Sequence, residues 1–254
     1  MKIAVPIKFV PDLVEELSID ASGAALDTSW LRLIINEFDD HAIEQAILLK
    51  ERGGAEVTVI CAEGDGVDDI LFTAAAKGAD RLVKLTGADA NTMNSHAAAR
   101  VLADLFKEIQ PDLILTGVQA HNDLDGSIGP LLAEYLGMPY VGYVAGVTAA
   151  SGSVVIRKEY PGGIIAEMDV ILPAVLGIQA AEQPPRYVAY SKINQVSKTV
   201  KIEERAVAGL DSNGGATVSR MFQPEPAQRA EIIDGSPEEV ADRMVGIFKE
   251  LGVL

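Results

Sequence analysis

Between Gln119 and Pro130 the sequence reads QAHNDLDGSIGP, a polar loop with a glycine, a serine and two aspartates just ahead of a helix-like apolar stretch. Those residue types suit an anion. Gly126 lets the backbone approach closely, Ser127 offers a hydroxyl, and free N–H groups from Ser127 to Pro130 face outward at a helix start. Pro130 has no N–H and fits the first turn. The same letters also describe an ordinary capped helix with Asp125 or Ser127 as N-cap, and Asp123 and Asp125 could hold Mg²⁺ through a nucleotide. Other chemistries fare worse. DGSIG has Asp125 where a nucleophile elbow needs glycine, so no catalytic residue is assigned. His41, His96 and His121 lack partners at metal spacing, and Cys61 ends an apolar run, so no metal site is expected. EGDGVDD at 63–69 puts Asp69 where a dinucleotide fingerprint needs its third glycine, and it follows the second strand rather than the first. The P-loop pattern G-x-x-x-x-G-K-[ST] does not occur.

The elements that must position the loop alternate. Ile3 to Val10 reads as a strand interrupted by Pro6, followed by a hairpin excursion that turns at Ser22 and Gly23. A helix beginning near Asn36 carries Phe38, Ala42, Ile43, Ala46, Ile47 and Leu49 at helical spacing and stops at Gly53-Gly54. AEVTVICA and DRLVKL read as strands, with a helix between them through about Lys77. The stretch 91–110 predicts a helix that ends before Pro111, DLILTG a fourth strand, 126–136 a helix, and YVGYVAGVTAA a fifth strand. This alternation implies right-handed βαβ units and a parallel sheet covered on both faces. The 119–130 loop then leaves the carboxyl end of a strand, where open α/β sheets bind ligands, and Asn36, Phe38 and Asp39 are placed to line the same crevice, Phe38 reading equally as a core residue. From 151 to 178 two β-like runs flank Pro161-Gly162-Gly163, which reads as an antiparallel hairpin laid beside the sheet. Residues 183–230 are polar and proline-punctuated and read as an extended arm. A last helix starts at Ser236 as N-cap, with Pro237, Glu238 and Glu239 in its first turn. The fold class is therefore α/β, a doubly wound, mostly parallel, Rossmann-like sheet with an antiparallel hairpin and a C-terminal arm. Residues 1–182 form the α/β domain and 183–254 the arm and terminal helix.

Composition narrows the function. With 254 residues and 48% hydrophobic content the chain can bury a core without staples, and its one cysteine excludes a disulfide framework. A net charge of −16 repels phosphate backbones and anionic membranes, so no nucleic-acid partner is expected, whereas local N–H donors can still hold a small nucleotide. Pro6 falls too early for a signal peptide and no apolar stretch of membrane-spanning length occurs, which points to a cytoplasmic location without a membrane span.

Five stretches in order, VPIKFVPD, INEFDDHAIEQAILLKE, AAAKGADRLVKL, LILTGVQAHNDLDGSIGPLLAEYLGMPYVGYV and LPAVLGIQAAEQPPRYVAYSKI, together resemble the beta subunit of electron transfer flavoprotein, including its FixA-like prokaryotic members. The closing DGSPEEVADRMVGIFKELGVL is similar to the C-terminal helix of such subunits. The resemblance implies an adenine-nucleotide-binding domain and a heterodimer with an alpha subunit that carries the redox-active FAD, the arm wrapping that partner. It also implies electron transfer from acyl-CoA or other dehydrogenases to a quinone reductase or ferredoxin, with no bond chemistry performed by this chain. Carried over by position, AMP would meet Pro6, Asn36, Glu37, Phe38, Asp39, Ala62 and the run Asn122, Asp123, Leu124, Asp125, Gly126, Ser127, Ile128 and Gly129. In flavin-bifurcating members a second FAD occupies this place and oxidises NADH. Here Asp125 stands where those members have a phosphate-facing threonine, which favours AMP. The segment between the hairpin's paired glycines and its acid is longer than usual, and Leu13 stands where some members have tyrosine. Tyr190 takes the anchor position of the family's docking loop for partner dehydrogenases. A reading of a different class is a stand-alone adenine-nucleotide-binding module.

Overall fold

Residue burial along the first strand, β1 (Lys2–Ile7), explains the centre of the fold. Five of its six residues are buried, as expected for a strand covered on both faces. The computed structural model describes residues 1–89, 93–225 and 230–254. They fall into two compact units, Met1–Arg220 and Met221–Leu254, so the stretch 183–220 is counted with the first unit.

The first unit is built on nine strands: β1, β4 (Glu56–Glu63), β5 (Arg81–Asp89), β6 (Leu113–Gly117), β7 (Tyr140–Ala149), β8 (Ser153–Tyr160), β9 (Ile164–Ile171), β10 (Ala174–Ile178) and β11 (Ile202–Ala206). Their order across the sheet is β11-β5-β4-β1-β6-β10-β7-β8-β9. Pairing is parallel from β11 to β7 and antiparallel from β7 to β9. Successive side chains of a strand point to opposite faces, and the core divides accordingly. Ile3, Val5, Val57 and Leu115 pack with Ile43 and Ile47 of α1 (Glu37–Gly53) and Leu71 of α2 (Val67–Lys77). Ala4, Ile60, Leu85 and Ile114 pack with Leu102 and Phe106 of α3 (Ser95–Ile109) and Leu132 of α4 (Ile128–Leu136). Helices on both faces make the sheet doubly wound, as the alternation predicts.

The predicted first strand divides into β1 and β2 (Phe9–Pro11), and β2 pairs antiparallel with β3 (Leu33–Ile35), the return of the excursion. Gly54 ends α1 in a left-handed conformation with φ 70°. The predicted α3 start at Asn91 and Thr92, and arm residues 226–229, lie outside the described residues.

Two predicted features differ. The hairpin is β8 and β9 alone, and the run AVLGI after Pro173 is a separate strand, β10, fully buried in the parallel sheet between β6 and β7. The arm also carries regular structure: α5 (Tyr190–Ser197), and β11, which extends the sheet edge beside β5. In the second unit, α6 (Pro237–Glu250) has Ser236 as N-cap and Pro237 in its first turn, as its sequence predicts, and Ser236 and Glu239 form a capping box.

The segment after β10 is locked onto α1 by charge. Glu44, 2% exposed, accepts from the Arg186 backbone N–H at 3.0 Å and from its guanidinium at 2.8 and 2.9 Å, while Glu51 takes Arg186 Nη1 at 2.6 Å. These acceptors raise the Arg186 pKa above its ordinary value, Glu44 contributing most. Removing the guanidinium would leave the buried Glu44 with only the backbone N–H of residue 186 from this partner. Arg186→Ala is expected to lower the unfolding free energy by about 2–3 kcal/mol, read as a lower urea midpoint, with part of the loss recovered when Glu44→Gln is added. A midpoint unchanged in Arg186→Ala would overturn this account of the lock.

Candidate functional site

The sheet reverses its winding between β1 and β6. β4 and β5 are laid down on one side of β1, after which the chain crosses through α3 to β6 on the other side. Connections leave this point in opposite directions and open a crevice at the carboxyl ends of the strands. A cleft lies there, enclosing about 720 Å³ together with the solvent at its mouth, and Pro6, Lys8, Asn36, Asp39, Ala62, Thr116, Gln119, Asp123 and Ile128 are among its lining residues.

Asp39 ties the two sides together. Its carboxylate accepts the Lys8 N–H at 2.8 Å, beyond the end of β1, and the Gly117 N–H at 2.9 Å, at the end of β6. Burial, first, with a smaller contribution from the Asp123 charge, raises its pKa to about 7 against the opposing pull of the Lys8 and Gly117 N–H groups and of Asn36. The approach of α1 to β6 needs glycine at 117, because a Cβ there would stand 2.5 Å from Asp39 Oδ1 and 2.8 Å from the Phe38 Cβ. Asn36, the N-cap residue of α1, makes no side-chain cap hydrogen bond, and its Nδ2 donates to the Gln119 carbonyl at 2.9 Å. Lys8 Nζ meets Asp123 Oδ1 at 2.6 Å, and Asp123 Oδ2 accepts the Ala120 N–H at 2.7 Å. The first turn of α1 and the end of β1 thus fix the loop that follows β6.

Farther along the loop, Gly126 has φ 59°, a left-handed conformation that side chains disfavour, and a Cβ there would lie a tight 3.0 Å from the Gln119 Cβ. Asp125 forms a turn with Ser127, accepting its N–H at 3.2 Å and its hydroxyl at 2.9 Å. His96 Nε2 of α3 stands 3.9 Å from the same carboxylate. Partial burial opposes ionisation of Asp125, but hydrogen bonds from Ser95 and Ser127 and the His96 charge outweigh it, so its pKa is lowered overall.

Of the residues expected from sequence, Pro6, Asn36, Asp39, Ala62, Asp123 and Ile128 line the cleft. Glu37, Asn122, Leu124 and Asp125 are exposed outside its lining, Phe38 is half-buried beside Gly117, Gly126 and Ser127 shape the loop, and Gly129 is buried against the Tyr140 ring. Tyr190, 79% exposed, begins α5. Lining residues that sequence reasoning missed include Lys8, Asn94, Thr116 and Gln119. Lys8 carried a signal in its position two residues past Pro6, whereas Thr116 was hidden inside an apolar run. Among the described residues no cluster of His, Cys, Asp and Glu could hold a metal. Burial, first, and the Asp39 charge push the Cys61 thiol well above its ordinary pKa, which leaves it unreactive.

A strap from Asp211 to Gly215 runs over the start of α3. Asn94 caps that helix through its Oδ1, which accepts the Ala97 N–H at 2.9 Å, and its Nδ2 donates to the Gly214 and Ser212 carbonyls at 2.9 and 3.3 Å. Arg100 donates through Nη2 to the carbonyls of Asp211, at 2.8 Å, and Asn213.

A doubly wound, mostly parallel sheet with a cleft at its winding reversal defines an open α/β protein. The sequence matches the family model described as electron transfer flavoprotein domain over residues 25–210. It is 35% identical to the electron transfer flavoprotein subunit beta of Methylophilus methylotrophus, with 98% of each chain covered. It is 33% identical to the subunit of that name from Syntrophomonas wolfei (98% of this chain, 96% of the relative) and 32% to that of Clostridium acetobutylicum (98% of each). The chain belongs to the electron transfer flavoprotein beta subunit family, and membership implies electron transfer and an alpha-subunit partner. No helix among the described residues is long and apolar enough to cross a membrane.

Asp39 and Arg100 give two tests. In Asp39→Asn one acceptor becomes an NH₂ facing a backbone N–H, and a loss of about 1–3 kcal/mol of stability is expected in urea unfolding. Because the folded state holds the Asp39 proton up to about pH 7 while the unfolded chain releases it near 4, this group makes stability fall as pH rises through that window and adds no slope above it. The parent-minus-variant stability should therefore decline between pH 4 and pH 7, and a flat difference would mean that Asp39 ionises normally. Arg100→Ala is expected to speed amide hydrogen exchange across 211–215 by about tenfold or more while leaving β1 and β6 protected. Unchanged exchange in the strap would assign its order to other contacts.

Proposed function

We propose that this chain is the nucleotide-holding beta subunit of a heterodimer, binding AMP in the cleft between β1, β4 and β6 while an alpha subunit carries the FAD through which electrons pass. The observation that carries this reading is the convergence on one cleft of Pro6, Asn36, Ala62, Asp123 and Ile128, drawn from separate stretches of the chain. Much of that lining is apolar, with Ile60, Ala62, Leu85, Ala98 and Leu102 offering a surface for a flat base.

AMP is favoured over a second FAD on two grounds. No aromatic side chain among the described residues lines the cleft, so an isoalloxazine ring would find no stacking partner there. Asp125 is ionised and held at the loop by Ser127, where a second phosphate would meet a negative charge. The AMP then serves structure rather than redox chemistry, and this chain breaks no bonds. Donors would be dehydrogenases, docking where Tyr190 stands exposed; a tyrosine buries large area at low entropic cost. The acceptor would be a quinone reductase or a ferredoxin. Residues 183–254 would act as the arm and terminal helix that wrap the alpha subunit, and the complex would work in the cytoplasm.

Co-expression with the alpha subunit, followed by denaturation and quantification of released nucleotides, tests the reading. One FAD and one AMP per heterodimer are expected. Two FAD without AMP would replace the assignment by a bifurcating one, and failure to form a heterodimer would remove it altogether.

A further inference from the structure

Thr116 is 1% exposed, lines the cleft, and its Oγ1 has no hydrogen-bond partner. That combination is unusual, because a buried hydroxyl left unpaired costs free energy that an isosteric valine would avoid. Every other buried polar side chain around the cleft is engaged: Asn36 with the Gln119 carbonyl, and Asp39 with two backbone N–H groups. Strand alternation puts Thr116 on the same face of β6 as Ile114, which packs with Ile60, Leu85 and Leu102. Thr116 is therefore a buried hydroxyl set in an apolar floor.

We propose that the Thr116 hydroxyl reads the edge of the purine base bound in this cleft, an inference that rests on the nucleotide-binding reading above. An apolar floor contributes affinity for any flat ring but cannot orient it. A single hydroxyl, able both to donate and to accept, fixes which ring edge points inward and disfavours ligands that leave it unpaired. The oxygen is covered by its neighbours, so seating the base displaces a lining side chain. Met93, unbranched and flexible, is the lining residue best suited to move. Thr116 acts here as a specificity-determining residue that touches only the base, and no proton transfer is assigned to it.

The test uses the full chain co-expressed with its alpha subunit, freed of bound nucleotide and titrated calorimetrically with AMP, 1-deaza-, 3-deaza- and 7-deaza-AMP, and purine riboside monophosphate. Thr116→Val is expected to weaken AMP binding by about three- to tenfold while raising the melting temperature of the nucleotide-free protein. Thr116→Ser should restore most of the affinity. One of the atom-deleted analogues should bind the parent more weakly than AMP yet bind Thr116→Val no worse than AMP does, the mark of a direct pair in a double-mutant cycle. Equal AMP affinity in parent and Thr116→Val would overturn the inference and leave AMP binding standing. Strictly additive losses for all four analogues would overturn it too, placing the hydroxyl against sugar, phosphate or water. If the parent binds no AMP, the nucleotide-binding reading itself fails, and base recognition fails with it.

Discussion

Two parallel strands whose following connections run to opposite faces separate at their carboxyl ends, and something must keep that separation from becoming a frayed end. In this chain the Asp39 carboxylate does so. It sits in the first turn of α1 and accepts one backbone N–H from each side of the opening, Lys8 beyond β1 and Gly117 at the end of β6. A buried carboxylate is costly unless its oxygens are satisfied. Here both are, by donors that would otherwise be unpaired at strand ends, so one side chain answers two backbone requirements. The glycine at 117 follows from the same contact, since no larger residue leaves room for Asp39 and Phe38. Helix, strands and loop are held in mutual position by an interaction that neither the sheet ladder nor the apolar core could supply.

The acidity of the chain does not by itself exclude an anion from the cleft, because the two carboxylates that line it are already committed. Asp39 is bound by backbone donors, and Asp123 by Lys8 and the Ala120 N–H. Each charge is neutralised or solvated locally by protein dipoles. The −16 of the whole chain then acts on long-range encounter, where salt screens it, more than on the cleft.

The central elements were legible in the sequence because each carries its own period. β1, β4 and β6 are continuous apolar runs, and α1 and α3 have caps or glycine stops. β10 was misassigned because AVLGI adjoins the second hairpin strand across Leu172-Pro173, and nothing local says that the chain leaves the hairpin for the middle of the sheet. β11 was missed for the opposite reason. IEERA is a short, polar edge strand, half-buried at most, and only its partner β5 gives it a conformation. In the site, the loop residues announced themselves through glycine, serine and aspartate. Thr116 did not, because within LILTG only the strand's orientation decides that its hydroxyl lies on the cleft side, and orientation is set by pairing with distant strands.

The addition of β11 changes what the stretch after residue 183 can do. Its ion pairs, Arg81 with Glu203 and Lys84 with Glu204, lie at the surface and contribute little by themselves. The parallel ladder with β5 is the stronger tie, and it delivers the chain to the start of α3. There Asn94 uses one side chain for three tasks: it caps α3 through Oδ1, holds the strap through Nδ2, and lines the cleft. The amide cannot rotate to favour one of these partners without giving up the other, since acceptor and donor occupy opposite sides of the group. The strap, the start of α3 and the wall of the cleft therefore share one rigid arrangement, so the segment that reads in sequence as a loose arm is part of the structure that shapes the site.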